Sequence, residues 1–149
     1  MTVVALVRAG GWVDRNEVAL ARAYGATKAV YAVCRMVQDG EAVDPVTARA
    51  FRRRAERTGA GLLSLGGEGS SVGTQTVHAL LGTWAGGLAR AGSYLEAYLL
   101  AGAAPEAPAD VFDSLLHVGM MFEADLGGHP ACESAVSAAF ASAVHPAAS

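Results

Sequence analysis

The chain has 149 residues, a net charge of −3 and a hydrophobic fraction of 52%, enough to bury one hydrophobic core. Its two cysteines, Cys34 and Cys132, form no motif, which argues against a disulfide-stabilised secreted domain and favours reduced thiols in the cytoplasm. The apolar N-terminal run is too short for a signal peptide and has no basic region before it.

The chain opens with a short β-branched run at residues 2–7, which fits either a strand or an extended N-terminal arm within residues 1–12. Asp14 and Glu17 have the spacing of a capping box and predict a helix from about Arg15 to Gln38. Gly40 is placed to end this helix.

A second helix is predicted to begin at Asp44-Pro45, a cap followed by proline, and to end at Gly59. Five of its residues are arginines: Arg49, Arg52, Arg53, Arg54 and Arg57. Residues 62–65 then form a short apolar run. If they pair with residues 2–7, the fold is α+β with a small two-stranded ribbon, which is the alternative to an all-α fold.

The stretch Gly69–Ala89 contains no Asp, Glu, Lys or Arg, and it predicts the central helix of the fold. Its apolar residues recur at helical spacing: Val77, Leu80, Leu81, Trp84 and Leu88. Gly82 and Gly86 are four residues apart, so we expect a neighbouring backbone to approach closely there. Polar residues dilute the stretch and no positive cluster flanks it, which disfavours a membrane span.

After Gly92, the capping box Ser93–Glu96 predicts a separate short helix, and residues 101–109 predict a loop with two prolines. Asp110 predicts a helix to about Leu126, ended by Gly127-Gly128, and Pro130 predicts a last helix. Residues 145–149 are expected to form a loose tail. The chain is therefore predicted to be a single all-α domain, a bundle of about five to six helices around the central one.

The glycine-rich connection before the central helix is the first candidate site, because free N–H groups at a helix start favour an anion. Ser70, Ser71 and Thr74 can add hydroxyl groups. The spacing is not that of a Walker A loop, and although Ser71 lies in a G-x-S-x-G pattern, the chain lacks the alternating strands and helices of that hydrolase fold. A connection capped by serine is the favoured interpretation.

Further along, His78, Trp84, Tyr94 and Tyr98 complete the predicted ligand-binding set, as the lining of a pocket beside the central helix. The favoured interpretation of His78 itself is a buried histidine that a neighbouring hydroxyl satisfies.

Two His–carboxylate pairs are spaced four residues apart, Asp113 with His117 and His129 with Glu133. Such pairs can hold a metal or act as acid and base, but neither belongs to a known signature, and a surface hydrogen bond is their more frequent role. For a small enzyme, the catalytic candidates are His78, Asp113, His117 and His129. The residues predict no metal site and identify no cofactor.

Charge is divided along the chain, because all eleven Lys and Arg lie at or before Arg90 and the residues from Ala91 onward carry only acids. We expect Arg49, Arg52, Arg53 and Arg57 to meet acids of the Glu106–Glu133 region, inside the bundle or between subunits. Net acidity and the absence of interleaved aromatic residues disfavour nucleic acid as a partner.

The leading hypothesis is a cytoplasmic helical binding protein that acts as a homo-oligomer or as a subunit of an assembly, since some apolar surface should remain exposed. Two alternatives stay open. One is the small enzyme with its pocket beside the central helix, and the other is a binder of a phosphate-bearing ligand at the glycine-rich loop.

Overall fold

The computed structural model describes residues 15–65, 72–106, 112, 115–117, 126 and 128–144, with the side chains of residues 72–76 and 142–144 left aside. These residues form helices α1 (Glu17–Gln38), α2 (Pro45–Leu65), α3 (Val72–Ala101) and α4 (Pro130–Val144), and residues 115–117 are also helical. The described ranges contain no strand, and the predicted all-α fold is confirmed. The predictions for residues 2–7, Asp110, Gly127 and the tail 145–149 lie outside the described residues.

Local signals set the C-terminal end of α1 and the start of α2 as predicted, whereas the predicted capping residue of α1, Asp14, lies outside the described residues. At the end of α1, Gly40 has a φ of +82°, and its N–H donates to the Val37 carbonyl at 3.1 Å. The next N–H, of Glu41, donates to the Met36 carbonyl at 3.0 Å, which completes a Schellman motif. At the start of α2, the Asp44 carboxylate accepts the Val46 N–H at 2.8 Å and caps the helix that begins at Pro45.

The predicted end of α2 at Gly59 is wrong, because the helix continues through Gly61 to Leu65. Gly59 lies against α3, where an added Cβ would be 3.6 Å from the Ala85 carbonyl oxygen, and Leu62 is only 1% exposed. Packing in this last part of the helix outweighs the low helix propensity of the two glycines. Since residues 62–65 are helical, the alternative two-stranded ribbon is also wrong.

Helix α3 is the central helix that its sequence predicts, with Val77, Leu81, Trp84 and Leu88 buried in the core. The predicted break at Gly92 and the separate helix from Ser93 are wrong, because α3 runs unbroken to Ala101. A Cβ added at Gly92 would lie 3.7 Å from the Ala55 side chain and 3.8 Å from the Arg52 carbonyl oxygen of α2. This glycine therefore permits close helix packing and does not end the helix.

The expected close approach at Gly82 and Gly86 is also wrong. A Cβ at Gly82 would meet nothing within 4 Å, and one at Gly86 would meet only the Arg90 side chain. The close contacts occur at Gly25, which abuts the Cys132 carbonyl of α4, and at Gly87, where a Cβ would lie 2.8 Å from the Leu115 side chain. Helix α3 therefore makes its close contact with Leu115 through Gly87 and not through Gly82 or Gly86.

The helices share one continuous core, in which α2 packs most extensively against α3 and α1 against α4. Phe51 of α2 and Phe140 of α4 join these two pairs, with their ring centroids 5.1 Å apart. The Tyr24 hydroxyl of α1 donates to the Leu116 carbonyl at 3.3 Å and holds residues 115–117 against the bundle. Within the described ranges, no helix has the length and apolar character needed to cross a membrane.

Candidate functional site

A groove of about 570 Å³ lies between α1, α2 and α4. Its volume falls within the range typical of small-molecule sites. Most of the residues that line it have small apolar side chains or none: Ala19, Ala23, Ala26, Gly61, Ala131, Ala135 and Ala138. Leu62 and Leu65 add larger apolar surface, and Thr58 and Ser134 add hydroxyl groups.

Helical periodicity explains how the sequence forms these walls. On α1, Ala19, Ala23 and Ala26 recur three or four residues apart and share a face with Arg22. On α4, Ala131, Ser134, Ala135 and Ala138 repeat the same spacing. Small side chains on both faces let the two helices meet closely at Gly25 and leave the space beside their contact open toward α2.

Two cations, Arg22 of α1 and Arg54 of α2, are the charged residues among the described lining of the groove. Arg54 is partly buried. Loss of solvent, and to a smaller extent the neighbouring charge of Arg57, lowers the pKa of the Arg54 guanidinium from its ordinary value. The group nevertheless stays charged at neutral pH, as arginine does in proteins.

The charge of Arg54 contrasts with that of Arg52 two residues earlier. Arg52 lies 2.8 Å from Glu56 and 2.8 Å from Glu96, so carboxylates of the same chain neutralise it. No ion pair to Arg22 or Arg54 is found among the described residues. An anion that entered the groove would therefore meet two positive charges, that of the exposed Arg22 and that of Arg54, whose hydration is already reduced.

A second cavity, of about 520 Å³, lies on the other side of the contact between α1 and α4. Lys28 and Glu133 both line it, together with Cys132, Ser137 and Phe140. Because a cation and an anion both line this cavity, it favours neither an anionic nor a cationic ligand, whereas the groove favours an anion.

The three aromatic residues predicted to line a pocket do not line either cavity. Trp84 is fully buried, and its indole N–H donates to the Thr27 hydroxyl at 2.9 Å. Tyr94 packs edge-on against Phe112, with ring centroids 4.9 Å apart. The Tyr98 hydroxyl donates to the Val43 carbonyl at 3.1 Å and accepts the Val43 N–H at 3.2 Å. Their described contacts stabilise the fold.

The predicted histidines lie on separate elements. His78 is exposed on α3, so its interpretation as a buried residue is wrong. His117 is exposed within residues 115–117, while the described residues do not include its predicted partner Asp113. His129 accepts the Ala131 N–H through Nδ1 at 3.0 Å, and its Nε2 lies 3.9 Å from the Glu17 carboxylate. This places His129 as a cap of α4 that also contacts α1.

The side chains of the remaining predicted site residues lie outside the described part of the structure. Ser70 and Ser71 lie outside the described residues, and Thr74 lies in the first turn of α3 with its side chain outside them. In the described part of the chain, no group of three or more His, Cys, Asp or Glu side chains could hold a metal ion.

The four arginines predicted to meet acids divide into two groups. Arg52 pairs within the chain with Glu56 and Glu96. Most acids of the Glu106–Glu133 region lie outside the described residues, so a contact of Arg52 with that region stays a prediction. Arg49, Arg53 and Arg57 are exposed and recur every four residues along one side of α2.

The groove is not apparent from the sequence, because Arg22 is one of three basic residues on α1 and Arg54 is one of five arginines on α2. The sequence after Arg54 did contain a signal for this site. Four uncharged residues follow Arg54 at helical spacing and share its face of α2: Thr58, Gly61, Leu62 and Leu65. No protein family model, curated protein or solved structure matches the chain significantly, so the chemistry of the groove itself carries the functional argument.

Proposed function

We propose that this protein binds a small anionic molecule with a larger apolar part in the groove between α1, α2 and α4. The observation that carries the proposal is Arg54, a partly buried cation with no described ion-pair partner in a groove of small-molecule size. A guanidinium can bind a carboxylate or a phosphate through two parallel hydrogen bonds. The small apolar side chains would contribute by excluding water from the rest of the ligand, at about 25 cal/mol per Å² of apolar surface removed from water.

One hypothesis from the sequence was an anionic ligand bound at the glycine-rich loop. The present proposal keeps an anionic ligand but assigns its binding to Arg22 and Arg54. The proposed role is to bind this ligand. The cytoplasmic location of the protein stays a prediction from its composition. Thr58 and Ser134 supply hydroxyl groups that can orient the ligand head.

Titration calorimetry with octanoate, octyl phosphate and the uncharged octanol tests the proposal. We expect the two anions to bind more tightly than octanol. Arg54→Gln should weaken binding of the anions at least about tenfold, which corresponds to about 1.4 kcal/mol. Arg53→Gln is the matched control, because Arg53 is exposed on the same helix and does not line the groove. Equal affinities of the Arg54 variant and the wild type would refute the proposal.

A second role, as a homo-oligomer or as a subunit of an assembly, has separate support. The exposed row of Arg49, Arg53 and Arg57 is a cationic surface that no described ion pair neutralises. The part of the chain after Arg90 carries seven acids and no Lys or Arg, so a second copy offers the complementary charge. This second proposal is independent of what the groove binds.

A further inference from the structure

We infer, on the basis of the proposed anion-binding function, that the apolar part of the ligand is a single unbranched alkyl chain. The ligand class is then a fatty acid or an alkyl phosphate, with its charged head at Arg54 and its chain directed toward Leu65.

On the α2 wall of the groove, the lining residues pass from polar to apolar along the helix. Arg54 is the first lining residue of α2 and Leu65 the last, so this wall extends about 16 Å at 1.5 Å per residue. Thr58 follows Arg54 by one helical turn, whereas Gly61, Leu62 and Leu65 form the apolar remainder. A ligand with one charged head and one long apolar tail matches this order.

The side chains of the wall favour a slender chain over a ring system. No aromatic residue is among the described lining of the groove, so a planar ligand would find no ring on which to stack. Alanine and glycine on three helices instead make a smooth apolar surface, along which methylene groups can gain contact over their whole length.

Gly61 provides the means to test this geometry. It is exposed within α2, between the polar and apolar ends of the groove, and an added Cβ would meet nothing within 4 Å. A larger side chain at this position can therefore occupy the groove without displacing a neighbour. Gly82 of α3 has the same exposure and the same free space but does not line the groove, which makes it the matched control.

The test measures affinity by calorimetry for octanoate, decanoate and dodecanoate, with dodecyl phosphate and 2-naphthoate for comparison. We expect affinity to rise along the series, by at most about fifteenfold for each two methylenes. The naphthoate should bind more weakly than dodecanoate. Gly61→Leu should weaken dodecanoate binding at least about tenfold, whereas Gly82→Leu should bind as the wild type does, both variants having been checked for helicity by circular dichroism.

The outcomes separate this inference from the proposed function. If Arg54→Gln loses affinity but chain length and Gly61→Leu have no effect, the alkyl assignment is refuted and the anion site stands. If Arg54→Gln has no effect, the anion site itself is refuted. Phosphatidylglycerol vesicles test a third outcome. The alkyl assignment is also overturned if the protein binds these vesicles, Gly61→Leu leaves that binding unchanged, and neither soluble dodecanoate nor dodecyl phosphate binds. The lipid headgroup at a membrane surface would then be the ligand.

Discussion

The indole N–H of Trp84 donates to the Thr27 hydroxyl at 2.9 Å, in a site where both residues have no exposed surface. Thr27 in turn donates to the Ala23 carbonyl at 2.7 Å. This chain of hydrogen bonds links α3 to α1 through the core and satisfies polar groups that would be costly to bury alone. It also fixes which face α1 turns outward, and Ala23 and Ala26 on that helix line the groove.

Thr27→Val should destabilise the protein by about 1–3 kcal/mol, because it keeps the shape of the side chain but removes the acceptor of the Trp84 N–H. Trp84→Ala should cost about 3–5 kcal/mol, as truncation of a fully buried aromatic residue does. Urea denaturation measures both values. Thr27→Ser retains the hydroxyl and is the control. Wild-type stability of the Thr27→Val variant would show that the hydrogen bond contributes nothing.

Gly25→Ala should destabilise the protein by about 1–3 kcal/mol, because the new methyl group would press on the Cys132 carbonyl and the Ala135 side chain of α4. Gly82→Ala is the matched control in α3, where the methyl group meets nothing and should stabilise the helix by up to about 1 kcal/mol. Thermal unfolding of the two variants gives the comparison. A destabilised Gly82 variant together with an unaffected Gly25 variant would contradict the observed helix contacts.

The sequence predicts those parts of the fold that short-range chemistry determines. Asp44 and Pro45 set the start of α2, Gly40 ends α1, and the apolar spacing around Trp84 identifies the buried face of α3. Each of these signals acts within a few residues of the chain, so no knowledge of the neighbouring helices is needed.

The helix ends predicted from Gly59 and Gly92 fail because these glycines serve contacts between helices. Each lies against the partner helix, and tertiary packing overrides the weak helix propensity of glycine.

The groove could not be predicted from the sequence for a similar reason. Arg22, Arg54 and Ser134 come from three helices, and only the rotation of each helix in the bundle determines that they line the same space.

The stability of the protein should fall as the pH rises above about 9. Burial raises the pKa of the Cys34 thiol from its ordinary value of 9.0 to about 12, so the folded protein keeps a proton that the unfolded chain releases. The stabilisation is complete below about pH 9 and is lost progressively up to about pH 12, by at most about 1.4 kcal/mol per pH unit for this thiol. Burial also raises the pKa of Tyr94, which adds a loss of the same sign at higher pH.

Urea titrations at several pH values between 8 and about 10.5 check this dependence. The reference is Cys34→Ala, whose absolute stability can differ but whose decline with pH should be shallower. Equal slopes for the variant and the wild type would mean that the thiol does not supply the effect.

Reversing Arg49 and Arg53 to Glu should shift the protein toward monomer at low salt, if exposed arginines of α2 join copies through the acidic C-terminal part. Both residues are exposed and have no described ion pair, whereas Arg52 already pairs with Glu96 in its own chain and is left unchanged. Exposed ion pairs contribute only about 0–1 kcal/mol each, so the reversal should change association and leave the fold intact. Raising the ionic strength to about 1 M, where the Debye length is about 3 Å, should weaken wild-type assembly in the same direction. Analytical ultracentrifugation measures both effects. A wild-type monomer at every salt concentration would rule out assembly between copies, and an unchanged oligomer in the reversed variant would assign the contact to apolar surface.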